Sequence, residues 1–149
     1  MNNKKSFINI FNSYKKKNLK IGFTNGCFDL LHYGHFKLLY EASKISDKLI
    51  VGLNSDDSVR RLKGNSRPIY NEKERMFMLS SLSYVDLVIL FYEDTPYDLI
   101  RTIKPNYLIK GFEYDENTIV GIEFANEIIR IPMIGDFSTT NIINKIKNV

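Results

Sequence analysis

The chain has 149 residues, of which 44% are hydrophobic and 26% charged, a composition typical of one folded domain rather than of a disordered segment. No apolar run reaches the roughly 20 residues that cross a bilayer, and the first residues lack the apolar stretch of a secretory signal. The single cysteine, Cys27, excludes an internal disulfide and favours a reducing cytoplasm.

The net charge of +4 comes largely from lysines near the amino terminus, and the rest of the chain is nearly balanced. A nucleic-acid-binding protein would carry a basic face interleaved with aromatic residues or a recognisable module, and the sequence has neither. We therefore expect no nucleic-acid partner and no membrane partner. The modest basicity also suits a small polyanionic substrate.

The first predicted element is an amphipathic helix over residues 4–17, whose apolar side chains recur at three- and four-residue spacing. These side chains are Phe7, Ile8, Phe11 and Tyr14. We interpret residues 1–19 as a helical extension and residues 20–149 as the main domain.

Short apolar runs and amphipathic segments alternate through the main domain. The apolar runs, each bounded by turn residues, predict buried strands over residues 20–25, 48–54, 86–91, 106–110 and 128–132. The amphipathic segments predict helices over residues 34–45, 72–83, 96–103 and 139–146. This alternation predicts the α/β class, as a Rossmann-like, doubly wound parallel sheet of five strands in one domain.

Two of the predicted helices carry start signals. Asn71 is a candidate N-cap with Glu74 as its capping-box partner. Pro96 suits the first position of the next helix.

Since ligands of such sheets bind at the carboxyl ends of the strands, the segments after the predicted strands are the candidate site. They are residues 24–29, 54–57, 110–115 and 132–140.

Both histidines of the chain, His32 and His35, follow the first predicted strand and its glycine turn. Three residues apart at a helix start, they would lie on one side of the first turn, with Gly34 leaving room for a ligand. Imidazole donors beside a helix N-terminus can stabilise charge on a phosphoryl group. A lone histidine is more often a surface or core residue, but a His-x-Gly-His at a strand-to-helix turn favours a phosphate site.

The stretch GFTNGCFDLLHYGH resembles the signature of the nucleotidyltransferase superfamily that is marked by an HxGH motif. More narrowly, five segments together resemble the adenylyltransferases of heptose 1-phosphate, which are often fused to a sugar kinase. The segments are TNGCFDLLHYGH, NSDDSVRRLKGNSRPI, EDTP, LIKG and STTNII. The resemblance extends from about Ile21 to the last residues.

The resemblance implies transfer of AMP from ATP to a sugar 1-phosphate, D-glycero-D-manno-heptose 1-phosphate, with release of pyrophosphate. The product would be ADP-heptose for lipopolysaccharide or another surface glycan. The resemblance also implies Mg²⁺ bound with the triphosphate, and a homodimer.

The resemblance assigns site roles residue by residue. The catalytic residues would be His32 and His35, which stabilise the transition state at the α-phosphorus, and Lys63, which neutralises phosphate charge. The nucleotide-binding residues would be Thr24, Asn25, Gly26, Cys27, Phe28, Gly34, Arg67, Lys110, Gly111, Ser138, Thr139 and Thr140. The substrate-binding residues would be Asp29, Asn54 and Glu113. The sequence has no carboxylate cluster that would form a metal site from protein ligands alone.

Some of these residues have simpler interpretations. Ser138, Thr139 and Thr140 alone would be a helix N-cap. The basic residues within 60–67 would form a solvated cluster on a loop. With the resemblance, residues 60–67 are instead predicted to be a mobile loop that orders over the triphosphate.

The sequence departs from the heptose family at Phe112-Glu113-Tyr114 and at Gly135-Asp136, both near the expected base and sugar pockets. Related cytidylyltransferases have an arginine where Met133 stands, which favours ATP over CTP here. Two alternatives stay open: a cytidylyltransferase acting on glycerol 3-phosphate or another small alcohol phosphate, and an inactive nucleotide-binding module.

Overall fold

Five short strands form one parallel sheet. The structure is a computed structural model, and it describes residues 3–111, 118–132 and 138–148. The strands are β1 (Ile21–Gly26), β2 (Lys48–Asn54), β3 (Leu87–Phe91), β4 (Tyr107–Gly111) and β5 (Glu127–Ile131). The order across the sheet is β3-β2-β1-β4-β5, and every neighbouring pair is parallel. The predicted α/β class is confirmed, and each strand lies within one residue of its predicted bounds.

Six α-helices and one short 3₁₀ turn, Ile122–Phe124, accompany the sheet in the described ranges. The helices are α1 (Asn3–Lys16), α2 (Tyr33–Ile45), α3 (Asp56–Lys63), α4 (Glu72–Ser80), α5 (Tyr97–Ile103) and α6 (Thr139–Lys147). Sequence analysis missed α3 and extended α4 three residues too far. Pro96 is the N-cap of α5 and not its first helical residue.

Helix α3 forms where sequence analysis predicted a loop over residues 60–67, and that prediction was wrong for the first half of the segment. The hydroxyl of Ser55 accepts a hydrogen bond from the backbone N–H of Ser58 at 3.2 Å, which caps the helix. Two aspartates occupy its first turn and three basic residues its last turn, the arrangement that the helix dipole favours. The helix ends at Gly64, whose φ of +94° is one that L-residues with side chains rarely adopt.

The predicted capping box of α4 is confirmed. The Asn71 side chain accepts from the backbone N–H groups of Lys73 and Glu74, and the Glu74 carboxylate accepts from the N–H of Asn71. The start of α4 is thereby fixed next to the candidate site.

The two faces of the sheet carry separate apolar clusters, because successive side chains of a strand point to opposite faces. In β2, Leu49, Val51 and Leu53 pack with α2 and α4, whereas Ile50 packs with α1 and α5. Phe11 of α1 is among the buried residues of the second cluster. The helix predicted as an extension thus contributes to the core, and the boundary at residue 19 stays a prediction.

The central strand β1 pairs with β2 on one side and with β4 on the other. The chain runs outward from β1 through β2 to β3, and then crosses back to β4 and β5. Strand order therefore reverses between β1 and β4, the place where sheets of this type bind ligands.

Candidate active site

A cavity of about 510 Å³ lies at the carboxyl ends of β1, β2 and β4. It contains nearly all described residues that sequence analysis assigned to the site: Thr24, Asn25, Gly26, Cys27, Phe28, Asp29, His32, His35, Asn54, Lys63, Arg67, Lys110, Gly111, Ser138, Thr139 and Thr140. Gly34 is buried within α2 and is not among the lining residues. Glu113 lies outside the described residues.

The two histidines lie at the start of α2. His32 is the N-cap residue, with extended backbone, and His35 follows in the first turn. Their rings are stacked with centroids 3.8 Å apart and planes 26° apart. The two imidazoles are therefore on one side of the turn, as predicted, and both line the cavity.

Phe28 packs against His35. Its ring centroid is 5.0 Å from that of His35, and its backbone has a φ of +45°. A side chain at Gly26 would approach the Phe28 ring to 3.1 Å, so glycine leaves the space that the ring occupies. The left-handed backbone at Phe28 thus accompanies the packing of its ring against His35.

Burial and, to a smaller extent, the neighbouring His32 lower the pKa of His35 to about 3, against weaker opposing effects of the Leu30 carbonyl and Asp29. His35 is therefore neutral at physiological pH and can donate one hydrogen bond to a phosphate oxygen. An anion bound beside it would favour the protonated form.

The pKa of His35 predicts a pH dependence of stability. Between its folded value of about 3 and the ordinary value of 6.5, the unfolded chain binds a proton that the folded chain does not. The free energy of unfolding should therefore fall with falling pH, by about 2 kcal/mol between about pH 7 and pH 5 from this group. Urea unfolding at both pH values, with wild type and His35→Gln, measures this contribution as the difference in pH slope. Equal slopes in the two proteins would contradict it.

Cationic side chains approach the cavity from two sides. Lys63 ends α3, the helix that follows β2, and Arg67 lies in the segment after it. Lys110 belongs to β4, and all three residues line the cavity. Lys110 is buried and donates to the side-chain oxygen of Asn25. Burial lowers the pKa of Lys110 to about 8, so its ammonium group is still mainly charged at neutral pH. Cationic groups from the segment around the end of α3 and from β4 therefore line the cavity, and Asp29 balances the charge of Arg67.

Asp29 holds one wall of the cavity in place. Its buried carboxylate accepts hydrogen bonds from the Arg67 guanidinium and from the backbone N–H groups of Ile69 and Tyr70, at 2.7 and 3.1 Å for the latter two. The described contacts thus direct Asp29 toward the segment after α3, and its role in substrate binding stays a prediction.

Cys27 lines the cavity with its thiol partly buried. Burial raises the pKa of this thiol, although Lys63 and Arg75 oppose the effect. The group is a neutral thiol at neutral pH, which does not suit a nucleophile.

Helix α6 begins at the cavity, close to the histidine turn. Ser138 is its N-cap, and its hydroxyl accepts from the backbone N–H of Asn141 at 3.1 Å. The Thr139 hydroxyl lies 3.5 Å from the Leu30 carbonyl, next to the histidine turn. Ser138, Thr139 and Thr140 line the cavity at this helix start, and a helix N-terminus is a favourable place for an anion.

Several residues at the cavity had no predicted site role. They are Leu38, Leu62, Asp94, Thr95, Pro96, Thr118, Ile119 and Val120. Residues 93–96 are part of the resemblance, and Pro96 marks a predicted helix start, but neither observation assigned them to the site. Residues 118–120 follow the undescribed segment 112–117 and carry no pattern that would have marked them.

The segment between Gly64 and Arg67 is exposed up to Ser66, and open space surrounds Gly64. We expect ATP with Mg²⁺ to slow amide hydrogen exchange in residues 65 and 66, because Lys63 would be drawn to the phosphates and order the segment that follows it. The amides of α3 up to Gly64 should change little, since they are already in helical hydrogen bonds. Unchanged exchange in residues 65 and 66 at saturating nucleotide would contradict this.

In the ranges 3–111, 118–132 and 138–148, no group of three or more His, Cys, Asp or Glu side chains could hold a metal ion. None of the helices in the same ranges combines the length and the apolar character that a membrane span requires.

Curated relatives share the chain's sequence over most of its length. The bifunctional protein HldE of Campylobacter fetus is 54% identical over 125 residues, which cover 84% of this chain and 27% of the relative. The bifunctional protein HldE of Helicobacter pylori is 55% identical over 128 residues, 86% of this chain and 28% of the relative. The chain thus spans less than a third of the length of these relatives.

Solved structures share the fold. A lipopolysaccharide core biosynthesis protein from Thermoplasma volcanium aligns with a TM-score of 0.67 and 29% identity, over 78% of this chain and 99% of that one. A pantoate-β-alanine ligase from Francisella tularensis aligns with a TM-score of 0.61 and 22% identity, over 95% of this chain and 76% of that one, and shows the fold alone.

The cytidylyltransferase-like family matches residues 23–145, a range that begins in β1 and ends in α6. It includes the histidine turn, the helix that carries Lys63 and the Ser-Thr-Thr segment. The predicted nucleotidyltransferase superfamily is confirmed, and the chain belongs to the cytidylyltransferase-like family.

Proposed function

We propose that the chain transfers AMP from ATP to D-glycero-D-manno-heptose 1-phosphate and releases pyrophosphate. The observation that carries this proposal is the stacked pair of His32 and His35 in a cavity that cationic groups line. Imidazole donors and flanking ammonium and guanidinium groups suit a polyphosphate whose charge shifts during reaction.

The relatives support the choice of reaction. The motifs resemble an adenylyltransferase that is often fused to a sugar kinase, and the relatives are named as bifunctional proteins. The chain covers 27% and 28% of their lengths, as expected of one of two fused activities. The similar protein from Thermoplasma volcanium is a lipopolysaccharide core biosynthesis protein, which agrees with a product used for a surface glycan.

In the reaction, a phosphate oxygen of the sugar 1-phosphate attacks the α-phosphorus of ATP. The bond between the α-phosphorus and the oxygen bridging to the β-phosphate breaks, and pyrophosphate leaves with that oxygen. A phosphate monoester is already a nucleophile at neutral pH, so no side chain needs to remove a proton. Orientation and charge stabilisation then supply the catalysis.

We assign the described side chains to this reaction by position. His32 and His35 donate to oxygens of the α-phosphate and the leaving group, where charge develops. Lys63 and Arg67 neutralise phosphate charge from the β2 side. The N-terminus of α6, with Ser138, holds the β- and γ-phosphates through hydroxyl and backbone N–H groups.

Mg²⁺ is expected to enter with ATP. The described residues offer no three-ligand cluster, and the Asp29 carboxylate is already engaged by Arg67 and backbone N–H groups. The ion therefore fits best as part of the substrate, bound by phosphate oxygens and water.

We expect ATP to be preferred to CTP by at least about tenfold in kcat/KM, or about 1.4 kcal/mol. The sequence lacks the arginine of the cytidylyltransferases and has apolar Met133, Ile134 and Phe112 instead, which suit stacking on a purine. These residues lie outside the described ranges, so the expectation depends on sequence alone.

Pyrophosphate release with ATP, CTP and GTP against a panel of sugar and alcohol phosphates tests both the proposal and the nucleotide choice. Equal or better use of CTP with glycerol 3-phosphate would favour the cytidylyltransferase alternative. Nucleotide binding without pyrophosphate release from any pair would favour an inactive module.

We also infer a homodimer, from the resemblance, and a cytoplasmic reaction, from the single cysteine and the use of ATP. Sedimentation of the purified chain tests the first inference, since a monomer at micromolar concentration would contradict it.

A further inference from the structure

Arg75 of α4 is a fully buried charged side chain that sequence analysis did not single out. It is not among the residues that line the cavity. A guanidinium without access to water is stable only where its N–H groups meet acceptors. The identity of those acceptors shows what the side chain holds together.

The Arg75 guanidinium donates to four separate segments. Its Nη1 donates to the carbonyl oxygens of Cys27 and Asn54, at 2.6 and 2.8 Å. Its Nη2 donates to the Asp56 carboxylate at 2.7 Å, and its Nε donates to the Tyr70 carbonyl at 3.0 Å.

Each of these segments carries part of the catalytic cavity. Cys27 lies in the turn between β1 and the histidines, and Asn54 ends β2. Asp56 is in the first turn of α3, the helix that ends at Lys63. Tyr70 belongs to the segment that Asp29 binds. One side chain therefore links the histidine turn to the helix that carries the catalytic lysine.

Other contacts keep α4 near α3 independently of this side chain. The Glu72 carboxylate accepts from the backbone N–H of Asp56 at 2.9 Å, and the Asn71–Glu74 capping box fixes the first turn of α4. Loss of the Arg75 fork should therefore shift the cavity walls relative to one another more than it separates the two helices.

We propose that Arg75 is a positioning residue for nucleotidyl transfer, which sets the histidine turn and the Lys63 helix at their working separation without contacting substrate. This inference rests on the proposed function. Arg75→Lys retains the charge but places its donors on one nitrogen, which cannot replace a planar fork with four acceptors. A purely structural role predicts only lower stability from this change.

The chain's two histidines supply a direct test, because isotope-labelled histidine gives an NMR spectrum of only these two imidazoles. In Arg75→Lys we expect the ring signals of His32 and His35 to move. We also expect kcat to fall by about 10- to 100-fold, as for a small misplacement of catalytic groups. Leu79→Ala is the matched control, because Leu79 lies one turn further along α4 and is equally buried. It should lower the melting temperature while leaving both imidazole signals and kcat near wild type.

Imidazole signals and kcat in Arg75→Lys that match those of Leu79→Ala would overturn the proposal. Should Arg75→Lys fail to fold, Asp56→Asn weakens one of the four contacts, and the same readouts should change in the same direction by less. Unchanged readouts in a folded Asp56→Asn would then overturn it. Absence of turnover in the wild type would contradict the proposed function, while the imidazole signals and the Kd of ATP would still decide the role of Arg75.

Discussion

Replacing His35 by alanine should lower kcat by about 100-fold or more, and His32→Ala should have a similar effect, as expected for loss of a donor to the transition state. The two imidazole rings stack on each other, and both line the cavity. Because they act together, we expect the double variant to be little worse than either single variant.

The fold should survive these changes, because His32 and His35 lie at the start of α2 and not in either apolar cluster. Lys37→Gln is a suitable control, since this α2 residue pairs with Glu41 at 2.7 Å and does not line the cavity. Initial rates of pyrophosphate release measure the effect. Near-normal kcat in both alanine variants would contradict the role of the pair.

Asp29→Ala should lower the free energy of unfolding by about 3–5 kcal/mol, the cost of removing one partner of a buried ion pair. The change leaves the Arg67 guanidinium and two backbone N–H groups without their acceptor. The segment 67–70 should loosen as a result, and the KM for nucleotide should rise, because Arg67 is part of the cavity wall.

Asp98→Ala is the control for Asp29→Ala. Asp98 pairs with Arg101 at 2.8 Å on the surface, where both side chains are more than half exposed. Such pairs contribute little, so this variant should unfold at nearly the urea concentration of the wild type. An equally small effect of Asp29→Ala would show that the buried pair does not hold the cavity wall.

The strands and most helices could be predicted because apolar periodicity is a local signal. The histidine turn could be predicted too, because the His-x-Gly-His motif comes shortly after an apolar strand and a glycine turn in the sequence. Helix α3 was missed because its eight residues carry few apolar side chains, although Ser55 and Gly64 mark its two ends. The capping residues and the order of charges both indicated a helix. The segment was nevertheless predicted as a loop, because it resembles a phosphate-binding loop.

Arg75 could not have been identified from the sequence. Its acceptors lie 5, 19, 21 and 48 residues away along the chain and include three backbone carbonyls, which leave no trace in residue types. The same limit applies to Asp29, whose partners are one side chain and two backbone N–H groups. Long-range contacts to the backbone depend on the fold and not on a motif.

The fate of labelled phosphorus tests most directly whether the chain transfers AMP from ATP to a sugar 1-phosphate. The chain would be incubated with D-glycero-D-manno-heptose 1-phosphate and ATP labelled at either the α- or the γ-phosphate. Nucleotidyl transfer at the histidine pair predicts that the α label appears in a sugar nucleotide and the γ label in pyrophosphate, at equal rates, and that His35→Ala slows both. Transfer of the γ label to the sugar, or no transfer of either label while ATP binds, would contradict it.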